Sequence, residues 1–259
     1  MILSRRVALG GVQLDEIHER IVVRRIDAGV PHEEIQAVSR MGGAGQRVTG
    51  QHWETLDVTV GFAIDVPKTN MALRMEIFED VVSWALRKGW LTVGHMPERR
   101  MWVEKVILPS AGDVWDWTAD FSMTFRSYGV PFWQDLEPTM VSNNNIQSGR
   151  MVIGVRGHVR TVIDVSFKNN GSAAISDFSV NAGGSTIILS GIGLAVNETL
   201  EIFHTEDGLL KITAGGRNVF GKRTAGSADD LYVNPGSRYV DISTSQPGKA
   251  TLSCYGRYA

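Results

Sequence analysis

Apolar and polar residues alternate along several short stretches of the first half of the chain. Leu56, Val58, Val60, Phe62 and Ile64 are interleaved with Asp57, Thr59, Gly61 and Ala63, the period of two expected of a strand with one face on a core. Residues 22–26, 102–107 and 118–128 also read as strands. In the last, Phe121, Met123 and Phe125 face one way and Ser122, Thr124 and Arg126 the other. Residues 69–88 break the rhythm. Met71, Met75, Phe78, Val82, Ala85 and Leu86 recur at helical spacing, which predicts an amphipathic helix burying that stripe. Trp84 falls one position off the stripe, at the edge of the expected helix–sheet contact. Pro67 and Thr69 suit the start, Arg87 and Lys88 the negative end of the dipole, and Gly89 the position after the C-cap.

A proline-rich connector, 130–138, leads to the polar cluster Ser142-Asn143-Asn144-Asn145, which reads as a turn beside a domain boundary. Beyond it the pattern is all β. Val159, Thr161, Ile163, Val165 and Phe167 alternate with Arg160, Val162, Asp164 and Ser166, and Asn170-Gly171 offers a turn before a strand near 178–180. Stretches 199–205 and 209–213 flank Asp207-Gly208, a second hairpin signal, and short strands are expected at 187–189, 231–233, 239–242 and 250–255. Many short strands with Gly-rich turns imply a sandwich or jelly roll. The predicted class is mainly β: an N-terminal α+β domain, 1–138, built as a sheet or split barrel with one helix, then a C-terminal β-sandwich, 139–259.

Composition sharpens the division. All seven Trp (53, 84, 90, 102, 115, 117, 133) precede residue 136, whereas 28 Gly are spread along the chain and weighted to the second half. Core filling accounts for part of the Trp set; the remainder fit an oligomeric or docking surface. The net charge of -2, from 26 basic and 28 acidic residues, gives no electrostatic case for nucleic acid or an anionic membrane. The lone Cys254 excludes an intramolecular disulfide and a Cys-based zinc site. No secretory signal and no apolar run of membrane-spanning length is read.

Searched for chemistry, the chain offers little. The six His (18, 32, 52, 95, 158, 204) include no pair at helical ligand spacing. His32-Glu33-Glu34 reads as a solvated loop. Gly45 to Gly50 has the two glycines of a phosphate loop, but Gln51 stands where Lys is required. Gly191 and Gly193 read as turn glycines. Cys254 lies in an alternating stretch with Ala250 and Leu252, as a packed thiol would. Asp229-Asp230 and Glu206-Asp207 are acid pairs of the kind glycosidases use, yet adjacent acids in turns are ordinary turn formers. Arg24-Arg25 and Arg99-Arg100 are too small a footprint for nucleic acid. No catalytic, cofactor-binding or metal-binding residue is assigned, and no cofactor is expected.

Taken in order, these spans resemble a family. Ile21-Val22-Val23, Ile26-Asp27 and Gly29 are followed by Arg40, Gly42 and Gly45. Next come Val58-Thr59-Val60, Phe62 and Ile64, then Trp84-Ala85 and Gly89-Trp90-Leu91. Trp117-Thr118 precedes Phe121 to Phe125, and Tyr128, Pro131 to Asp135, Val233 to Gly236 and Tyr255 to Tyr258 complete the set. In this order and total length the chain looks like the distal tail proteins of long, non-contractile-tailed phages. The resemblance implies a virion structural protein without enzymatic activity, assembled in the reducing host cytoplasm. It implies a homohexameric ring joining the tail-tube protein to the central hub or fibre protein, often contacting receptor-binding proteins. It further implies an outward galectin-like or jelly-roll C-terminal domain. Segments 45–62 and 117–129 are the expected ring contacts. A carbohydrate-binding module for host adhesion, or another tail or baseplate subunit, is the alternative. The absence of Trp beyond Trp133 speaks against the sugar-binding reading.

Overall fold

The structure, a computed structural model of the 259-residue chain, describes residues 5–39, 46–109 and 120–259, the backbone alone at 38–39 and 46–51. The chain is mainly β and divides into two compact units, one ending at Trp133 and the other spanning Gln134–Tyr258.

The first unit is α+β. It begins with β1 (Val7–Leu9), β2 (Val12–Gln13), the short helix α1 (Leu14–Ile17), β3 (Ile21–Ala28), β4 (Glu33–Ser39), β5 (Gln46–Trp53) and β6 (Leu56–Ile64). The main helix α2 (Met71–Ala85) follows, then β7 (Gly89–Val93), β8 (Met96–Val103), β9 (Lys105–Ile107) and β10 (Asp120–Ser127). One antiparallel sheet runs β2-β1-β7-β8 and a second runs β3-β6-β10-β9. The alternation read in 56–64 and 121–125 is realised: Val58, Val60, Phe62, Phe121, Met123 and Phe125 are all buried on one face. Residues 118 and 119 of the expected last strand lie outside the described residues. The stretch 102–107 is broken at Glu104, between β8 and β9.

Helix α2 starts where Asn70 caps it, its side chain accepting the Leu73 N–H at 3.3 Å. Its buried face is rotated from the predicted one. Arg74, Ile77, Phe78, Val81, Trp84 and Ala85 are buried, while Leu86 is 63% exposed. Two apolar stripes interleave on this helix, and the aromatic surface beneath selects the one that carries Trp84. The Trp84 ring meets Phe125 edge-on at 5.9 Å, Phe78 lies 5.3 Å from Phe121, and the Trp84 Nε1–H donates to the Val12 carbonyl at 3.0 Å. Burying a bulky ring with its one polar atom satisfied outweighs burying Leu86. The helix ends at Ala85 with Leu86 as C-cap, so Gly89 opens β7 rather than capping the helix.

Strand β11 (Trp133–Asp135) carries the chain across the boundary. The second unit contains β12 (Thr139–Val155), β13 (Thr161–Val162), β14 (Asp164–Asn169), β15 (Phe178–Ala182), β16 (Ser185–Leu189), β17 (Thr199–His204) and β18 (Leu210–Ala214). It ends with β19 (Arg217–Asn218), β20 (Tyr232–Val233), β21 (Gly236–Cys254) and β22 (Arg257–Tyr258). The two strands expected at 239–242 and 250–255 are one 19-residue strand, β21. Its first part, through Thr244, pairs with β15, and its last part, from Gly248, pairs with β14. Strand β12 runs along its other side throughout. The sheet path therefore folds at the middle of β21 into two leaves. Met151, Ile153, Phe178, Val180, Val240 and Ile242 line one inner face; Val165, Phe167, Leu200, Ile202, Ala250 and Leu252 line the other, in one continuous core.

The cluster Ser142 to Asn145 lies inside β12, where the register shifts between Asn143 and Ser148; it is a bulge that bends the strand, not a linker. The alternation over 159–167 is interrupted at Ile163, whose N–H donates to Leu231 at 3.0 Å. The Asp207-Gly208 hairpin forms as read, with Gly208 at φ +84° and Ile202 opposite Ile212.

Gly248 occupies the point where β21 leaves β15 for β14. A Cβ there would collide with the Lys168 carbonyl oxygen and the ring of buried Phe167. Gly248→Ala is therefore expected to destabilise the protein by about 1–3 kcal/mol through over-packing, whereas Gly154→Ala, with open space around it, stays within about 0.5 kcal/mol. Urea titration of both variants checks this. By the same measurement Trp84→Ala costs about 3–5 kcal/mol, and Leu86→Ala falls within about 0.5 kcal/mol.

Candidate interaction surfaces

Several of the residues that suggested chemistry are engaged in structural roles. The Asp230 carboxylate accepts the Tyr232 hydroxyl at 2.8 Å and lies 3.3 Å from Nε2 of His204. On the other side of that ring, Nδ1 is 2.8 Å from the Asp164 carboxylate, and the His204 side chain is only 4% exposed. The two carboxylates sit on opposite ring nitrogens, so they cannot converge on one ion. In the imidazolium form His204 donates to both. Arg160 lies over the Tyr232 ring at 4.6 Å. Arg257 is buried nearby, and desolvation pushes its guanidinium down to about 10, which still leaves it cationic at neutral pH. None of this was visible in sequence, because His204 is 40 residues from Asp164 and 26 from Asp230.

Asp207 accepts the Thr205 hydroxyl within its own turn. Gly191 and Gly193 are turn residues with φ of +68° and +59°. His32 lies in the loop before β4, whereas Glu33 and Glu34 open the strand, and Glu34 pairs with His52 across the ribbon at 2.9 Å. Gly45 lies outside the described residues. A register shift between Val23 and Arg25 in β3 leaves both Arg24 and Arg25 exposed, where simple alternation would have set them on opposite faces.

Two spans that carried the family resemblance meet in space. Asp135 is buried, accepts the Gly256 N–H at 3.2 Å and the Tyr258 hydroxyl at 2.9 Å, and lies 3.3 Å from Arg156 Nε. This carboxylate clasps the two ends of the C-terminal unit. In the first unit the Gly29 N–H donates to the Asp57 carbonyl at 2.9 Å, and a Cβ on Gly29 would strike that same oxygen. The Gly29 carbonyl in turn accepts the Trp133 indole N–H at 3.3 Å, and Trp53 meets Phe132 edge-on at 5.1 Å.

Those contacts anchor the base of the ribbon β4–β5. Beyond the base, no described residue covers β4 over Glu34 to Ala37. Glu34, Ile35, Gln36 and Ala37 are consecutive and all exposed, so both faces of β4 meet solvent. The ribbon is a separate two-stranded sheet, and neither outer edge pairs with another strand among the described residues. Segments 45–62 and 117–129 map onto β5, β6 and β10, apart from 45 and 117–119, which lie outside the described residues. Strand β6 is flanked by β3 and β10 along nearly its whole length. It can meet a neighbour only through outward side chains such as Asp57, held by Arg126 at 2.7 and 2.6 Å. That pairing raises the Arg126 guanidinium above its usual range. On β7–β8, Trp90 and Trp102 pair edge-on at 5.2 Å, half-exposed, with Arg100 stacked 3.9 Å from Trp90. Trp115 and Trp117 lie outside the described residues.

The class defined by this fold is a mainly β chain of an α+β unit followed by a β-sandwich. No family profile and no curated protein sequence matches the chain. Among solved structures it is similar to the Dit protein (gp 19.1) of phage SPP1, at a TM-score of 0.68 and 13% identity, covering 98% of this chain and 99% of that one. That protein is described as a paradigm of the hub adsorption apparatus in phages infecting Gram-positive hosts. A chain of the phage P2 baseplate in its activated conformation with Ca aligns at a TM-score of 0.45 and 8% identity, over 92% of this chain and 90% of that one. The fold is thus that of the SPP1 distal tail protein, as the resemblance implied.

Cys254 is 2% exposed, and burial, with Asp164 and Asp135 nearby, pushes its thiol up to about 11. The reactive thiolate is then scarce at pH 8. Iodoacetamide is expected to modify the native protein far more slowly than the urea-unfolded chain, followed by mass spectrometry. Because the unfolded thiol releases its proton first, the native state holds more protons between the ordinary thiol range and about 11, so stability falls as pH rises through that window.

Proposed function

We propose that this protein is a structural subunit of a phage tail tip. In this reading residues 1–138 build a homohexameric ring and residues 139–259 form an outward β-sandwich. The ring joins the tail-tube protein to the central hub or fibre protein, and its periphery receives receptor-binding proteins. It is assembled in the host cytoplasm, works in the virion and has no enzymatic role.

The observation that supports this best is the chain-long likeness to SPP1 Dit, joined to the state of the ribbon β4–β5. A two-stranded ribbon whose strand β4 is wet on both faces is marginal in water, and long open edges invite pairing with another chain. A neighbouring subunit would supply the missing partner. Repeated around a closed ring, such a head-to-tail contact satisfies every copy without making fibres. Of the acids that a hydrolase reading would recruit, Asp230 is committed to His204 and Tyr232.

The test is native mass spectrometry with negative-stain microscopy on the full chain, alone and mixed with the tail-tube and hub proteins of the same phage. Six-membered rings are expected. Replacing residues 34–52 by a short Gly-Ser turn should leave the circular dichroism of the rest intact and abolish the rings. A chain that stays monomeric with both partners present, or rings that survive the deletion, would sink the respective part of the proposal.

A further inference from the structure

Strand β12 forms an open edge of the C-terminal unit. It pairs with β21 along one side, and no described strand pairs with its other side. From Ser148 to Val155 its register against β21 is regular, the shifts lying before Ser148. Met151, Ile153 and Val155 are buried, while Ser148, Arg150, Val152 and Gly154 are exposed on the outer face. Gly149 and Gly154 are both exposed. A glycine has no side chain, so what meets solvent at those two positions is main chain.

An edge of this kind is a template for another strand unless it is blunted. The usual devices are missing from 148–155, which holds no Pro, no Lys and no bulge. Its one charge is drawn away from the open side. The Arg150 guanidinium donates to the Asp241 carboxylate at 2.7 and 3.0 Å and lies 4.9 Å from the Tyr239 ring, both on β21. Val152 is left 50% exposed.

The order of residues in this segment selects the partner. Side chains alternate between faces, so a second copy of β12 can pair antiparallel only where outward residues oppose outward ones. Rotation about Arg150 would set that residue against itself, and rotation about Ile153 would set it against Arg156; like charges directly opposed are destabilising. Rotation about Met151 sets Arg150 against Val152. Rotation about Val152 sets Val152 against Val152, Met151 against Ile153 and Arg150 against Gly154, which has open space around it. That register joins the two exposed valines and leaves room for each guanidinium. We infer that residues 149–155 pair antiparallel with the same residues of a second copy of this chain, about a two-fold axis at Val152. Such a contact is isologous and closes on itself. It uses neither the ribbon β4–β5 nor any other protein, so it and the ring assembly fail independently.

The test is disulfide trapping on the full chain. The native thiol, Cys254, is buried, so an added surface cysteine reports alone. In the inferred register the two copies of position 152 are directly opposed, with Cα atoms about 4.5–5.5 Å apart, within reach of a disulfide. The two copies of position 148 are eight residues out of step, about 26 Å apart. With oxidised glutathione and non-reducing electrophoresis, Val152→Cys is expected to form covalent dimers at least about tenfold faster than Ser148→Cys. A charge placed at Gly154 reads the register. In the Val152→Cys background, Gly154→Lys opposes the second copy's Arg150 and should slow trapping about tenfold, two like-charge contacts being made per dimer. Gly154→Glu opposes the same cation and should not slow it. Circular dichroism checks that each variant is folded. Equal rates at 148 and 152, no dimer at 152, or equal effects of the two Gly154 substitutions overturns the inference.

Discussion

The C-terminal unit depends on one strand that serves two sheets. Every buried backbone N–H and C=O needs a partner, and β21 finds them by lending one side to β12 and dividing the other between β15 and β14. The division is feasible only because Gly248 lets the strand pass against Phe167 and the Lys168 carbonyl. With that corner in place, both leaves of the sandwich face each other and a single core closes between them. The bulge in β12 follows as a consequence: a partner running alongside a bent strand must bend as well. The Asp135 clasp then joins the segment entering the unit to the one leaving it.

The first unit solves the same problem with a helix. Its sheet β3-β6-β10-β9 hides one apolar face, and α2 covers it through an aromatic cluster of Phe62, Phe78, Phe121, Trp84 and Phe125. The indole hydrogen bond to Val12 ties the helix to the other sheet. Buried aromatics fix the rotation of α2 because each ring must find both volume and, for Trp84, an acceptor. This is why a one-residue error in reading the stripe matters: it exchanges Trp84 for Leu86 at the contact.

What could be read in sequence was local. Period-two alternation located β6 and β10, and Asp207-Gly208 located a hairpin, since turn chemistry acts over a few residues. The long strands were hidden by their own irregularities. Gln246-Pro247-Gly248 looks like a turn and is a corner within β21; Ser142 to Asn145 looks like a linker and is a bulge within β12. The polar clusters were illegible for a different reason. His204, Asp164 and Asp230, or Asp135, Gly256 and Tyr258, are juxtaposed by pairing across the whole unit, and the last set is separated by more than 120 residues. The order of weak motifs along the chain carried more than any single motif, because the fold conserves that order even where contacts were unreadable.

The Trp distribution gains a physical meaning from these placements. Trp84 fills a core, Trp133 and Trp53 anchor the base of the ribbon, and Trp90 with Trp102 stands half-exposed beside Arg100. Two other edges are protected. Strand β3 is interrupted by a bulge and carries Arg24 and Arg25, and β16 is covered by the segment 222–228. The ribbon β4–β5 has a register shift of its own between Gln36 and Ala37 but no covering segment among the described residues, and it is fastened at its root by two tryptophans and by Gly29, whose missing Cβ permits the approach to Asp57. A flexible excursion would need no such root. In the proposed assembly, anchorage of the strand pair at its root would lower the entropy lost when a partner binds.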